Sequence, residues 1–170
     1  MNNLEKIAEM LGVKLGENFT ICTDKIDPYD FYTEVHDLLN EDGKILARFG
    51  TDWVYCYSNK YQDWCDSPCA LRALLTGELY IEGQECKNRM SEVAEMFGFK
   101  FNEEFEADFA GKTDVLFFTS NGVKKYLNGS PATDYRPMIQ FIDISDDAFK
   151  RLLNGKYENI RRSNGEKNGK

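Results

Sequence analysis

Apolar residues recur at helical spacing at two places in the chain, once near its start and again near residue 90. This periodicity predicts two short amphipathic helices. A glycine follows each pattern, Gly12 in the first and Gly98 in the second, where it can end the helix in a left-handed conformation. The apolar positions are Leu4, Ile7, Met10 and Leu11 in the first helix and Met90, Val93, Met96 and Phe97 in the second.

After each helix the pattern changes to alternation of apolar and polar residues, which is typical of strands in an antiparallel meander. The predicted strands are 19–23, 29–34, 44–49 and 53–57 in the first half, and 105–109, 115–119, 123–127 and 138–143 in the second. A further helix, with Pro68 in its first turn and Gly77 at its end, precedes a short strand at 79–81. Its counterpart is a helix over 146–154 followed by a strand at 156–160.

The two halves resemble each other residue by residue, which indicates an internal duplication. They align without a gap at a spacing of 86 residues from Ile7 through Thr33, and the segment from Ser67 returns from Ser145 at a spacing of 78. The sequence therefore predicts an α+β fold of two tandem modules, each a helix, an antiparallel meander, a helix and a short strand. The predicted boundaries are 1–82 for module one, 83–87 for a linker, 88–160 for module two and 161–170 for a disordered basic tail.

Charge is distributed unevenly along the 170 residues, whose formal net charge is −8. Residues 1–82 hold seven basic and fifteen acidic side chains, whereas the tail 161–170 is basic. An acidic surface repels phosphate backbones and attracts basic proteins. We therefore expect a protein partner and no direct binding to nucleic acid.

The chain contains no apolar run long enough for a membrane span, and its first residues lack the pattern of a secretion signal. We expect a cytoplasmic protein whose five cysteines are reduced. Cys65 and Cys69 allow a zinc interpretation together with Cys56, Cys86 or His36. Paired C-x-x-C motifs are absent, however, and buried free thiols are the simpler interpretation.

Signatures of catalysis are also missing from the sequence. It contains no P-loop, no G-x-G-x-x-G and no G-x-S-x-G motif, and His36 is the single histidine. Paired carboxylates for hydrolysis or for a divalent metal would need a convergence that their spacing does not establish. We predict a protein that is not an enzyme and that has no cofactor or metal site.

The sharpest candidate site is an aromatic row with acidic neighbours in module one. The eight residues by which this module exceeds the other fall between Leu39 and Tyr61. Alternation on a strand would place Trp53, Tyr55 and Tyr57 on one face. Such a row fits either a partner-binding surface or packing within module one or at the module junction. The candidate binding residues are Asp52, Trp53, Tyr55, Tyr57, Tyr61 and Asp63.

Two acidic clusters extend this candidate surface. They are Glu41 and Asp42 in module one, and Glu103, Glu104, Glu106 and Asp108 in module two. Spaced carboxylates can imitate phosphates in a basic nucleic-acid channel, although runs of charge are more often solvated faces. Both interpretations stay open at this point.

Two motifs carry a resemblance to a known group of proteins. They are the segment from Asn3 to Glu17 and the later residues Trp64, Asp66, Ser67, Pro68, Leu71, Leu74, Leu75, Thr76, Gly77 and Glu78. With an aromatic meander between them, they resemble small uncharacterised proteins of phages and prophages in Firmicutes, which are normally one module long. The resemblance brings no catalytic or binding residues. It implies an accessory gene of a mobile element, a setting in which anti-CRISPR proteins occur.

These observations predict a non-catalytic accessory protein that binds and inhibits a host defence protein. The leading candidate is a basic, nucleic-acid-binding nuclease such as a CRISPR effector. The alternative is a protein that sequesters a small molecule or nucleotide at a site between the modules. The sequence does not determine the oligomeric state.

Overall fold

The computed structural model describes residues 3–23, 42–66, 68–125 and 147–163. The chain divides into two compact units, Met1–Arg89 and Met90–Lys170. Each unit combines helices with one antiparallel sheet, which confirms the predicted α+β class.

Unit one contains a five-stranded sheet in the order β4-β3-β2-β1-β5, with every neighbouring pair antiparallel. The first helix ends where predicted, and Gly12 follows it with a φ of 69°. The elements are α1 Asn3–Met10, β1 Asn18–Cys22, β2 Lys44–Phe49, β3 Val54–Ser58, β4 Asp63–Asp66, α2 Pro68–Thr76 and β5 Tyr80–Ile81.

The core of unit one lies against one face of this sheet. Along β2 and β3 every second residue is buried, because successive strand side chains point to opposite faces. Helix α2 packs against β3 and contributes further apolar side chains. The buried residues are Ile45, Ala47 and Phe49 of β2, Val54 and Cys56 of β3, Leu4, Ile7 and Ala8 of α1, and Ala70, Leu71, Leu74 and Leu75 of α2.

Unit two contains a four-stranded antiparallel sheet in the order β8-β7-β6-β9. Stacked phenylalanine rings fill its core, with ring centroids 4.4 Å apart for Phe99 and Phe105 and 5.3 Å apart for Phe105 and Phe118. The elements are α3 Met90–Met96, β6 Phe105–Phe109, β7 Lys112–Thr119, β8 Gly122–Lys125, a helix α4 over 147–153, and β9 Glu158–Arg162.

The two sheets share an order of strands. In each, the first strand lies between the second strand and the last one, and unit one adds β4 at an edge. The spacing of 86 residues relates β1 to β6, and its continuation from residue 24 through Thr33 falls on residues outside the described ranges. Phe117 lies in β7, the strand that pairs with β6, whereas the strand that pairs with β1 begins only at Lys44. The partner of Phe117 in the proposed alignment, Phe31, lies outside the described residues. The duplication itself stays a prediction.

The structure differs from two of the predicted module boundaries. Strand β9 runs through Arg162, so Arg161 and Arg162 belong to the sheet and not to a disordered tail. The segment predicted as a linker is bonded to unit one, because Gln84 Nε2 donates to the Leu11 carbonyl at 2.8 Å. Three predicted segments lie outside the described residues: the strands at 29–34 and 138–143, and the tail from 164.

Candidate functional site

Four aromatic residues on the β3–β4 hairpin form a group that we call the aromatic edge: Tyr55, Tyr57, Tyr61 and Trp64. Among the strands that the structure describes, β4 is the outermost of its sheet. Its Trp64 lies directly opposite Tyr57 of β3. Because alternate residues of β3 enter the core, Tyr55 and Tyr57 lie on the opposite face and are half-buried.

Trp64 of β4 is held in place by one residue of β3 and one residue of β2. The rings of Tyr57 and Trp64 meet edge to face, with centroids 5.6 Å apart and an interplanar angle of 70°. The guanidinium of Arg48 lies 4.5 Å from the centroid of the Trp64 ring. Arg48 is itself fixed, since its Nε donates to Asn18 Oδ1 at 2.8 Å. An aromatic side chain ordered in this way loses little conformational entropy when a partner covers it.

Tyr55 is fixed through its hydroxyl group. The hydroxyl donates to the carboxylate of Asp52, at 2.9 Å from Oδ1 and 2.8 Å from Oδ2. This hydrogen bond, followed by partial burial, raises the pKa of Tyr55 above its usual value. Gly50 leaves room for the ring, because a Cβ there would lie 2.8 Å from Tyr55 Cε2. The predicted site residue Asp52 therefore positions Tyr55.

Tyr61 lies at the tip of the hairpin and is 66% exposed. The loop is closed by a hydrogen bond from the backbone nitrogen of Tyr61 to Ser58 Oγ at 3.3 Å. Asp63, the first residue of β4, is also exposed, and its Oδ1 accepts a hydrogen bond from the backbone nitrogen of Trp64 at 2.8 Å. These two predicted residues lie on the surface next to Trp64.

Trp53 does not belong to this surface, although the sequence grouped it with Tyr55 and Tyr57. It precedes β3 and is fully buried. Its carbonyl oxygen accepts a hydrogen bond from the backbone nitrogen of Gly50 at 2.8 Å. Trp53 therefore follows the alternative interpretation of the row, packing within module one, and is not available to a partner.

The carboxylates of β6 in unit two do not form an unneutralised row either. Arg161 of β9 pairs with Glu106 at 3.1 Å and with Asp108 at 3.2 Å. A hydrogen bond from Thr113, with others from Arg161 and Asn159, lowers the pKa of Asp108 to about 2. Arg-carboxylate pairs of this kind leave little of the charge pattern that phosphate mimicry requires.

The other predicted acidic residues have different surroundings. Glu103 pairs with Arg162 and accepts a hydrogen bond from the Lys100 backbone nitrogen at 3.0 Å, so it is also neutralised. Glu104 and Asp42 are exposed, and Glu41 lies outside the described residues. Unit one carries nine basic and sixteen acidic side chains against twelve and thirteen in unit two, so nearly all of the net negative charge belongs to unit one.

Described residues of unit two line two open cavities, and no residue of the aromatic edge is among them. One, of about 590 Å³, lies at the β6–β7 turn beside Lys112 and Lys156. The other, of about 640 Å³, lies beside Phe101 and Arg162.

Within the described ranges there is no group of three or more His, Cys, Asp or Glu residues that could hold a metal ion. In the same part of the chain, no helix has the length and apolar character needed to cross a membrane.

The sequence prediction of the site omitted two residues that the structure places at its centre, Trp64 and Arg48. Trp64 reaches Tyr57 because a four-residue loop, 59–62, brings β4 back along β3 in that register. Arg48 comes from β2, where it is the Cα partner of Tyr55. Pairing residues 54–58 with residues 63–66 as a hairpin in the sequence is the signal that could have placed Trp64 opposite Tyr57.

Comparison of the chain with protein-family models, with curated proteins and with solved structures gave no match.

Proposed function

We propose that this chain is a non-catalytic binding protein whose aromatic edge docks onto a basic surface of another protein. The observation that carries the proposal is the arrangement of Trp64, which contacts both Tyr57 and Arg48 on a strand that follows the exposed Tyr61 in the hairpin. Tyrosine, tryptophan and arginine are the residues that most often supply the binding energy of protein interfaces.

The position of β4 at the end of the sheet favours docking at this hairpin. An edge strand presents backbone donors and acceptors that an extended segment of a partner can pair with. Asp63 and Asp66 stand at the two ends of β4 and are both exposed. Charged residues on an edge strand oppose pairing between copies of the same chain, and carboxylates favour a partner segment that is basic.

The separation of charge between the units supports the same class of partner. Unit one holds nearly all of the net negative charge. In unit two, by contrast, Glu106 and Asp108 of β6 are paired with Arg161, and Glu103 is paired with Arg162. A basic protein would be steered towards unit one, and its association would weaken as salt screens the attraction.

The resemblance to phage and prophage proteins leads to a narrower form of the proposal. In that setting the partner is a host defence protein, with a CRISPR effector nuclease as the leading candidate because its nucleic-acid channels are basic. Binding of the aromatic edge at such a channel would inhibit the nuclease by blocking nucleic acid. The protein itself would act in the host cytoplasm.

The test compares three full-length baits in a lysate of a Firmicute host that carries CRISPR systems. The baits are the wild type, the double variant Tyr61→Ala/Trp64→Ala, and the control Phe101→Ala, which removes an aromatic side chain that is 38% exposed in unit two. Melting curves first establish that all three baits are folded.

We expect the wild type and the Phe101→Ala bait to retain a nuclease at low salt, and the double variant not to retain it. High salt should release the nuclease from both binding baits. The purified nuclease should then cleave its target more slowly in the presence of the wild type than in the presence of the double variant. Retention of the same proteins by all three baits, or of none, would contradict the proposal.

A further inference from the structure

Two cysteines face each other across the strands of the aromatic edge hairpin. Cys56 of β3 and Cys65 of β4 are direct Cα partners in the antiparallel register. Both are free thiols, with Cys56 buried and Cys65 half-buried at the sheet edge. Because they are opposite each other in the pleat, their side chains lie on the same face of the sheet.

The spacing of directly opposed strand residues matches the span of a disulfide. Such Cα atoms lie about 4.5 to 5.5 Å apart, within the range of about 4.4 to 6.8 Å that disulfides occupy. From this juxtaposition we infer that Cys56 and Cys65 form a dithiol site, which a small-molecule disulfide such as oxidised glutathione converts into a cross-strand disulfide. This inference does not depend on the proposed function.

The reaction balances as two successive thiol–disulfide exchanges. The Cys65 thiolate attacks one sulfur of oxidised glutathione, forms a mixed disulfide and releases one glutathione thiolate. Cys56 then loses its proton to solvent and attacks the Cys65 sulfur, which releases the second glutathione. The two cysteines lose two electrons and two protons in total, and one disulfide is reduced to two glutathione thiols.

The environment of the two sulfurs sets the order of these steps. Burial raises the pKa of the Cys56 thiol to about 12, and the nearby Cys65 contributes to this shift. Cys65 lies at the sheet edge and reacts first, since exchange requires an accessible thiolate. The second step is slow in the folded protein, because Cys56 must be deprotonated while it is buried.

Two other cysteines of the described residues, Cys22 and Cys86, are less favourable partners. Cys22 lies on β1, which β2 separates from β3, so its backbone is two strand spacings, about 10 Å, from that of Cys56. Cys86 lies after β5, and its sulfur donates to the Gly77 carbonyl at 2.6 Å. Cys69 is only four positions from Cys65 along the chain, and a bond between these two is the competing product that a test must distinguish.

The disulfide would tie the edge strand β4 covalently to β3 and keep Trp64 opposite Tyr57. Directly opposed Cβ atoms lie about 4.5 to 5.5 Å apart, whereas a disulfide prefers about 3.5 to 4.5 Å. The bond therefore draws the strands together and stores strain. Strained disulfides are readily reduced, which gives the site the character of a reversible redox switch.

The test refolds the full-length chain from urea into a buffer of oxidised and reduced glutathione, so that both sulfurs are accessible before the fold closes. Remaining thiols are then alkylated, and the product is digested at Lys60 and before Asp66, which separates Cys56, Cys65 and Cys69 into different peptides. The samples are the wild type and the variants Cys69→Ser, Cys56→Ser and Cys65→Ser.

We expect the wild type and Cys69→Ser to yield a crosslinked peptide pair containing Cys56 and Cys65, and both other variants to lack it. The crosslink should disappear at a lower concentration of dithiothreitol than is needed to reduce a structural disulfide of a secreted control protein. A wild type and a Cys69→Ser variant that both refold with free thiols or only glutathione adducts would overturn the inference. A disulfide between Cys65 and Cys69 in the wild type would also overturn the inference.

Discussion

The guanidinium of Arg161 binds the carboxylate of Asp108 on the neighbouring strand through both terminal nitrogens, with Nη1 at 3.2 Å from Oδ2 and Nη2 at 3.3 Å from Oδ1. Together with the stronger effect of the Thr113 hydroxyl, this pair lowers the pKa of Asp108 from 3.8 to about 2. A depressed carboxyl pKa contributes stability that is complete above about 3.8 and is lost as pH falls through about 2.

We therefore expect Arg161→Ala to move the pKa of Asp108 upwards from about 2, towards the ordinary value of 3.8. The measurement is the carboxyl carbon resonance of Asp108, followed by NMR between pH 1 and 6 in both proteins. Arg162→Ala is the matched control, because Arg162 pairs with Glu103 and should leave Asp108 unchanged. An identical titration of Asp108 with and without Arg161 would show that the pair contributes nothing in solution.

Replacing Trp53 should affect folding, and replacing Tyr61 should not. Trp53 is fully buried, so Trp53→Ala should lower the free energy of unfolding by about 3 to 5 kcal/mol. Tyr61 is 66% exposed, so Tyr61→Ala should stay within about 0.5 kcal/mol of the wild type. Urea unfolding followed by far-ultraviolet circular dichroism measures both. Equal stability of the two variants would contradict this assignment.

The double variant Tyr55→Ala/Tyr57→Ala tests the binding role of the aromatic edge. Both side chains are half-buried on the face opposite the core, so the fold should survive their truncation. Loss of the ring that packs against Trp64 should weaken binding to the partner by about 2 kcal/mol, in the range of interface hot spots. Titration calorimetry with the captured partner gives the affinity, and a melting curve reports the fold. A collapsed fold would show that these tyrosines are structural.

The sequence was sufficient for features that depend on neighbours a few positions away. Helical spacing located α1 and α3, and alternation placed Tyr55 and Tyr57 on the face opposite Cys56. Alternation failed for Trp53 because the regular strand begins only at Val54, so the rule was extended one residue too far.

Features that depend on distant pairing could not be read from local composition. Arg161 and Arg162 stand in a polar, basic run that looks like a disordered tail. They are ordered because β9 pairs with β6, more than 50 positions away. For the same reason, local composition does not reveal that Glu103, Glu106 and Asp108 are paired, since their partners Arg161 and Arg162 lie in that run. Arg48 and Trp64 were missed because their contact joins two strands that are not neighbours in the sheet.

The β6–β7 turn contains a residue poorly suited to its backbone conformation. Its two central residues, Ala110 and Gly111, have φ values of 52° and 77°. Alanine is strained in the left-handed region, whereas asparagine tolerates it and Asn-Gly is the preferred sequence for such turns. Ala110→Asn should therefore raise the free energy of unfolding by about 0.5 to 1 kcal/mol.

The control for this prediction is Gly111→Ala at the next position. A Cβ there would meet no atom within 4 Å, so any loss of stability reports backbone strain alone. We expect Gly111→Ala to lower the free energy of unfolding by about 1 to 2 kcal/mol. Thermal unfolding of the two variants beside the wild type measures both effects. A destabilised Ala110→Asn would show that the asparagine side chain does not suit this turn.

Tyr157 and Asp114 form a polar contact within unit two whose loss should be costly. The Tyr157 hydroxyl donates to Asp114 Oδ2 at 2.7 Å, and Lys125 Nζ lies 3.2 Å from Asp114 Oδ1. Tyr157 is only 5% exposed, and burial followed by this hydrogen bond raises its pKa above the usual value. Tyr157→Phe removes only the hydroxyl group and leaves the ring in place. Because a hydrogen bond to a charged group contributes about 1.5 to 3 kcal/mol, we expect a loss of stability in that range.

A double-mutant cycle separates this hydrogen bond from the general cost of each substitution. In Asp114→Asn the acceptor loses its charge, so the further change Tyr157→Phe should cost less than it does in the wild type. Urea unfolding of the wild type, both single variants and the double variant gives the coupling energy. A coupling near zero would mean that the hydroxyl and the carboxylate act independently. In that case Tyr157 would stabilise unit two through the packing of its ring against Phe109, 6.0 Å away between centroids.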